Sequence, residues 1–112
     1  MNVVIQGYFN RIDGFGNLRL VNLTPESMKK LENCGKHLYP KMPEHNSPIL
    51  PNGAVLKPNP TAMCYDIDGA PASTDSLLGQ LVEVKARVKK YSMYGKPGWN
   101  MKLVSIQPVR GA

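Results

Sequence analysis

Basic and aromatic side chains are concentrated in one stretch of the chain, VEVKARVKKYSMYGKPGWNM, at positions 82–101. Five lysine or arginine residues, two tyrosines and one tryptophan occur within it. Lysine and arginine neutralise phosphates, and flat aromatic rings stack on nucleobases. Because the bases of a duplex are already stacked on one another, this combination predicts binding to single-stranded nucleic acid, without distinguishing DNA from RNA.

The candidate contacts divide by chemistry into phosphate-binding and base-stacking residues. The cations expected to bind phosphates are Lys85, Arg87, Lys89, Lys90, Lys96 and Lys102. The rings expected to stack on bases are Tyr91, Tyr94 and Trp99, and the secondary contacts are Phe15 and Arg19. Two alternatives stay open here: the tryptophan is equally suited to the core, and lysines on the outer face of a strand also protect it from aggregation.

The net charge of +6 is placed entirely in the C-terminal third of the 112-residue chain. Residues 81–112 hold seven basic groups and one acid, whereas residues 1–80 hold seven of each sign. A local cationic field of this kind favours polyanionic partners. A membrane surface is a weaker candidate, because these basic residues follow a strand pattern rather than one face of an amphipathic helix.

The basic stretch is predicted to form a β-hairpin over residues 81–107. Its first strand shows period-two alternation, with Val82, Val84, Ala86 and Val88 between charged residues, which gives one apolar and one charged face. Pro97-Gly98 suits the central positions of a type II turn. In the return strand the apolar residues change face near Leu103 and Val104, which predicts either a β-bulge or a strand buried on both faces.

The N-terminal part is predicted to form a second hairpin followed by a helix. Residues 2–23 have the pattern of two strands joined by turn residues at Asp13-Gly14. Thr24 is a suitable N-cap and Pro25 a suitable first helical residue. We therefore expect a short helix over 25–34, ended by Gly35.

The middle of the chain is rich in proline. Six of the ten prolines fall within residues 36–62, which predicts a long loop or arm, because proline removes backbone donors and blocks helix. A short strand ending in the Asp68-Gly69 turn is expected next. Length and element count predict a single domain over 1–112, mainly β, built as a small five-stranded antiparallel barrel with one short helix.

Residues 79–109 resemble part of a known family. The pattern comprises Gly79, alternating valines at 82, 84 and 88, Lys90-Tyr91, a short turn, Gly98 and the apolar return strand 103–106. It is similar to the OB-fold single-stranded DNA-binding proteins of phages and large DNA viruses. The resemblance implies an OB-like barrel that binds single-stranded DNA without sequence preference in replication, recombination or repair. The segment resembles the opening strands of the family. An OB domain carries its helix between the third and fourth strands, whereas the helix here is expected after two. If residues 79–107 supply the first two strands of the family, the strand order is permuted.

Other chemistries have less support in the sequence. Cys34, His37, His45 and Cys64 are possible zinc ligands, but their spacing matches no zinc module, so we predict neither a metal site nor a cofactor. No catalytic motif occurs, and an enzyme is not expected. Two cysteines and the lack of a secretory signal favour an intracellular location. The main rival is a protein-interaction module that uses the proline-rich arm and an edge strand, as a homodimer or with a replication protein.

Overall fold

The fold is described by a computed structural model over residues 1–111. One α-helix and a strongly curved β-sheet make up most of these residues. The strands are β1 (Asn2–Ile12), β2 (Leu18–Val21), β3 (Ile49–Leu50), β4 (Gly53–Leu56), β5 (Met63–Cys64), β6 (Leu81–Met93) and β7 (Lys96–Pro108). The helix α1 (Pro25–Leu38) follows β2, and a 3₁₀ turn (Thr74–Leu77) precedes β6. The prediction of a mainly β protein with one helix is confirmed.

The sheet differs from the predicted five-stranded antiparallel barrel. It has seven strands in the order β3-β4-β2-β1-β6-β7-β5, is open, and is mixed because β5 runs parallel to β7. The sheet curls so far that Lys57, directly after β4, reaches β7. Its N–H donates to the carbonyl of Met101 at 2.8 Å, and its carbonyl accepts from the N–H of Leu103 at 3.0 Å. The prediction counted a short strand before the Asp68-Gly69 turn, where β5 lies, but it did not count β3 and β4, which fall within the proline-rich segment.

The core lies inside this curl. The alternating apolar residues of β6 all point inward, as the period-two pattern predicts, and Val82, Val84 and Ala86 are fully buried. Phe9, Trp99 and Met101 fill the centre. The outward residues of β6 are therefore left on the surface, where lysine and arginine are hydrated.

Helix α1 begins where the sequence predicts but ends later. The hydroxyl of Thr24 accepts the N–H of Ser27 at 3.2 Å, which confirms the N-cap. Leu31 is fully buried, as expected for the core-facing side. The helix continues through Gly35 to Leu38. A Cβ atom at position 35 would lie 3.1 Å from the imidazole Nε2 of His45. Gly35 therefore allows the helix to pack closely against His45, and it does not end the helix.

The long hairpin of β6 and β7 turns at a different place from the predicted one. Met93 pairs with Lys96, so the two turn residues are Tyr94 (φ 53°) and Gly95 (φ 76°). Positive φ at both residues is the geometry of a type I′ turn, which matches the twist of the strands. Pro97 lies within β7 instead. The predicted bulge is confirmed, because Val104 is left over between two pairs.

The proline-rich segment 36–62 is only partly irregular. Its first residues complete α1, and residues 49–56 form the small hairpin of β3 and β4. Strand β4 pairs with β2 in four consecutive positions. The prediction of a continuous loop or arm was therefore wrong, because the short apolar run GAVL pairs with the sheet despite the surrounding prolines.

A substitution of Gly53 tests how closely β4 packs on β2. A methyl group at this position would overlap the carbonyl of Leu20, which belongs to the partner strand. We expect Gly53→Ala to lower the free energy of unfolding by about 1–3 kcal/mol, the usual cost of forcing extra volume into a packed site. Urea denaturation measures this. Gly14→Ala is the control, since nothing lies within 4 Å of a methyl group there; equal effects of both substitutions would contradict the packing.

Candidate nucleic-acid interface

A basic groove of about 680 Å³ runs along the outer face of the sheet. Three parts of the fold form it: the middle of the β6–β7 hairpin, the turn between β1 and β2, and the residues just after β4. Its lining consists of Phe15, Asn17, Lys57, Pro58, Arg87, Lys89, Asn100 and Lys102. Four of these eight side chains are cations and none is an acid.

Strand register brings the cations together. Arg87 on β6 lies opposite Lys102 on β7, and Lys89 lies opposite Asn100. Facing residues on neighbouring strands have Cβ atoms about 4.5–5.5 Å apart. Lys57 joins them because its backbone forms a parallel bridge with Lys102. The groove therefore combines cations from the two strands of one hairpin with a lysine from a distant part of the sequence.

The positive charge of the groove is not neutralised within the described residues. Over residues 1–111 the ion pairs are Arg19 with Asp13, at 3.3 Å, and Lys30 with Glu26, at 3.9 Å. Neither pair includes a cation of the groove. Like charges placed directly opposite one another on a sheet are unfavourable. An anionic ligand would relieve that repulsion.

Phe15 stands at the rim of the groove on a rigid turn. Its side chain is 89% exposed, which is unusual for a large apolar residue and leaves both ring faces open. The carboxylate of Asp13 fixes the turn by accepting the backbone N–H groups of Phe15 at 2.9 Å and Asn17 at 3.0 Å. Burial acts to raise the pKa of Asp13, but these bonds and the one from Arg19 outweigh it and hold that pKa below its usual value.

The groove continues into a second depression of about 330 Å³ toward the end of the hairpin. The two share Asn17, Lys57 and Asn100. The second depression adds Tyr91 and Met93 to the wall. A continuous channel thus leads from a cationic part to a part with an aromatic side chain.

Tyr91 lies flat against the strand that faces it. A methyl group on Gly98, its partner on β7, would come within 2.6 Å of the tyrosine ring. The absence of a side chain at Gly98 therefore allows the ring to rest on the backbone. The ring is half-buried, and its free part lines the channel.

Several predicted site residues line the groove or lie on the same face of β6, and others do not. The groove holds Phe15, Arg87, Lys89 and Lys102, and its continuation holds Tyr91. Lys85 is exposed one step further along the same face of β6. Tyr94 and Lys96 lie beyond the groove, at the tip of the hairpin.

Trp99 needs a correction. It is 1% exposed, so neither face of its ring is open to a base. Alternation along β7 places it on the core side together with Met101 and Leu103, which are also buried. The predicted stacking role for Trp99 is therefore wrong, and the alternative core role describes it.

Two predicted phosphate contacts, Lys90 and Arg19, are also separated from the groove. Lys90 is an even-numbered residue of β6 and lies on the opposite face, with its ammonium 4.6 Å from the centre of the Tyr39 ring. Arg19 holds the carboxylate of Asp13 and so stabilises the turn. Neither residue lines the cationic channel.

Four residues of the groove were missed in the sequence, namely Asn17, Lys57, Pro58 and Asn100. The apolar run directly before Lys57 was the only available signal for it, and the neighbouring prolines argued against a strand. Asn17 and Asn100 carry no charge, so they give no signal of their own. Only the pairing of β2, β4 and β7 with their neighbours brings them to the groove.

Two of the alternatives considered above, a metal site and a membrane-spanning helix, can be compared with residues 1–111. No three His, Cys, Asp or Glu side chains among them come close enough to hold a metal ion. Burial raises the pKa of the Cys34 thiol, which disfavours the reactive thiolate. The helix found within the described range lacks the length and apolar character needed to cross a bilayer.

The chain was compared with protein-family models, curated proteins and solved structures. No family model matches this chain, and no match was found among curated proteins or among solved structures.

The charge on Asp13 can be tested through pH. Since its pKa is lowered in the folded state, its ionised form contributes stability that is present above about pH 3.9 and is lost as the pH falls through the folded pKa. We expect Asp13→Asn to lower the Tm at neutral pH and to reduce the loss of Tm on acidification. Asp68→Asn is the control, because its carboxylate accepts no hydrogen bond among the described residues. An unchanged acid dependence in Asp13→Asn would contradict the role of its charge.

Proposed function

We propose that this protein binds single-stranded nucleic acid, DNA in the first instance, in the channel along β6 and β7, without catalysis. The observation that carries the proposal is the groove in which four cations without acidic partners, Lys57, Arg87, Lys89 and Lys102, lie beside an exposed phenylalanine. Folding does not require an unneutralised cluster of this kind. A polyanion with flat bases satisfies both features.

The spacing of the cations supports an extended strand as the ligand. Alternate residues of a β-strand are about 6.8 Å apart, so Lys85, Arg87 and Lys89 form a row whose interval is close to that of phosphates in an extended single strand. Each neutralised phosphate releases counterions and adds affinity that depends on salt. The backbone would run along β6, with its bases toward the rim.

The aromatic residues support single strands over duplexes. Phe15 at the rim and Tyr91 in the channel offer ring surface on which unpaired bases can stack, each worth about 1–3 kcal/mol. Paired bases are stacked on one another and cannot reach these rings. Every base has a flat face, so the binding is expected to be independent of sequence.

The order of the strands is compatible with an OB-like architecture. Strands β1, β2 and β4 pair in succession, and β6 returns over a long connection to lie beside β1, which is the order of a Greek key. An OB-fold is a five-stranded, partly open Greek-key barrel that binds oligonucleotides near its first and last inter-strand loops. Counted as β1, β2, β4, β6 and β7, the strands follow chain order, and Phe15 lies in the first loop. No permutation is then needed, although α1 precedes the third strand.

The alternative is a protein-interaction module. The exposed apolar residues Tyr8 and Ile67 are not among those that line the groove and suit such a role. The two functions respond differently to salt, because only the phosphate contacts depend on counterion release.

Direct titration tests the proposal. A labelled oligo-dT of about 30 nucleotides, followed by fluorescence anisotropy at about 50 and 200 mM salt, is expected to bind tightly and to lose affinity at the higher salt. A matched duplex should compete poorly, and oligo-U measures the preference for DNA over RNA. Absence of binding at the lower salt would contradict the proposal and favour the protein-interaction alternative.

Removing two cations of the groove should weaken this binding. We expect Arg87→Gln combined with Lys89→Gln to lower the affinity at low salt at least tenfold and to reduce the slope of log K against log salt by about 0.7 for each lost phosphate contact. Lys29→Gln combined with Lys36→Gln is the matched control, because it removes the same charge from exposed positions on α1. Equal losses in both pairs would mean that net charge alone attracts the ligand and that the groove is not the site.

Stacking on Phe15 can be separated from simple apolar contact. Because this side chain is almost fully exposed, its replacement should leave stability unchanged. Phe15→Leu is expected to cost about 1–3 kcal/mol of binding free energy, whereas Phe15→Trp keeps a flat ring and should retain the affinity. Similar affinities of the leucine and tryptophan variants would exclude stacking at this position.

A further inference from the structure

The hairpin of β6 and β7 spans the length of the molecule. Each strand has 13 residues, which corresponds to about 44 Å of extended chain, and the longest dimension of the molecule is 43 Å. The turn of this hairpin, residues 93–96, therefore lies at one end, here called the hairpin tip. The opposite end, where Val82 pairs with Pro108, is here called the hairpin base.

The hairpin tip exposes two large apolar side chains next to a lysine. Tyr94 is fully exposed, at 102% of its reference area, and Met93 is 58% exposed. Lys96 is adjacent, and no acidic residue occurs anywhere from residue 84 to the end of the chain. The type I′ turn of Tyr94 and Gly95 holds the tyrosine outward. Folding gives no reason to expose two large apolar side chains there.

The hairpin base contains an apolar depression that could receive the apolar side chains of such a tip. A depression of about 500 Å³ is lined by apolar side chains that include Tyr8, Ile67 and Leu81. Tyr8 is 44% and Ile67 45% exposed. This volume lies within the range of about 300–1,000 Å³ that is usual for sites that hold a small ligand or a large side chain.

Acidic groups lie directly beside that depression. A neighbouring pocket that shares Ile67 with it is lined by the carboxylates of Asp66, Asp68 and Glu83 and by the guanidinium of Arg110. Its formal charge is therefore negative. None of these carboxylates forms an ion pair within residues 1–111. Asp66 and Glu83 accept hydrogen bonds from uncharged groups, so within the described residues the charge at each end of the molecule has no partner of opposite sign in an ion pair.

We propose that the hairpin tip of one copy of this chain docks into the hairpin base of a second copy. Tyr94 and Met93 enter the apolar depression, and Lys96 faces the carboxylates beside it. Charge complementarity identifies the occupant as a second copy, because the two ends of one molecule carry the two halves of the contact. This contact uses none of the residues that line the basic groove, and of the channel beyond the groove it uses Met93 alone among the residues named for the contact.

The proposed contact has a definite consequence for assembly. It joins two different surfaces, so it is heterologous, and each added copy leaves a free tip at one end and a free base at the other. Such a contact produces growing chains instead of a closed two-fold dimer. The proposal stands whether or not the protein binds nucleic acid.

Sedimentation velocity of the full chain without nucleic acid, from micromolar to millimolar concentration at low salt, tests the proposal. The average mass is expected to rise past that of a dimer and to fall when salt is added. Tyr94→Ser removes the tip, and Ile67→Ser disrupts the base; both positions are exposed. Each variant alone should associate at least tenfold more weakly. Their equimolar mixture should form dimers that do not grow, because it contains one intact tip and one intact base.

Phe15→Ser is the control, since it removes an exposed aromatic residue outside the contact and should leave chain growth intact. Thermal melting verifies that each variant is folded, and Asp68→Lys gives a second variant of the base. A protein that stays monomeric at the highest concentration would overturn the proposal. An average mass that levels off at that of a dimer would also overturn it. The same holds if Tyr94→Ser associates as strongly as the unmodified chain, or if the mixture of the two variants remains monomeric.

Discussion

Strand β6 is hydrogen-bonded along both of its edges, to β1 on one side and to β7 on the other. Its period-two alternation determines both the inward-facing residues of the core and the outward-facing cations. The valines and alanine turned inward form the centre of the core, and Lys85, Arg87 and Lys89 are thereby forced to the surface in a row. A shift of register by one residue would exchange the two faces and bury the cations. The core and the charged surface thus depend on the same constraint, and neither can change without the other.

The groove also depends on elements that carry little charge. The turn fixed by Asp13 presents Phe15, and the bridge from Lys57 to β7 holds the end of β4 beside Lys102. Gly98 allows Tyr91 to lie on the backbone. These contacts are made by small or polar residues with specific geometry. The site is therefore assembled by the curvature of the sheet, while the charge is supplied mainly by one hairpin.

Local patterns in the sequence were sufficient to predict some elements. The alternation from Val82 to Val88, the N-cap at Thr24 and the bulge at Val104 each leave a signature within a few residues. The features that were missed are decided by distant partners. Pro97-Gly98 has good turn chemistry, but the pairing of the whole hairpin moves the turn to Tyr94-Gly95. In the same way, only the pairing of β4 with β2 shows that Lys57 belongs beside the sheet. Trp99 was ambiguous because a strand pattern gives two faces without saying which is inward.

The pairing of β1 with β6 has a consequence for the order of folding. Asn2 pairs with Arg87, so most of the 112-residue chain lies between the two partners. Helix α1 and the β1–β2 hairpin involve near neighbours and can form within microseconds, whereas a contact across such a long loop must first overcome the entropy of closing it. Folding is therefore expected to be slow for a chain of this size. Until β6 arrives, the apolar strand β1 has an open edge, so refolding should give the best yield in dilute solution, where chains meet rarely.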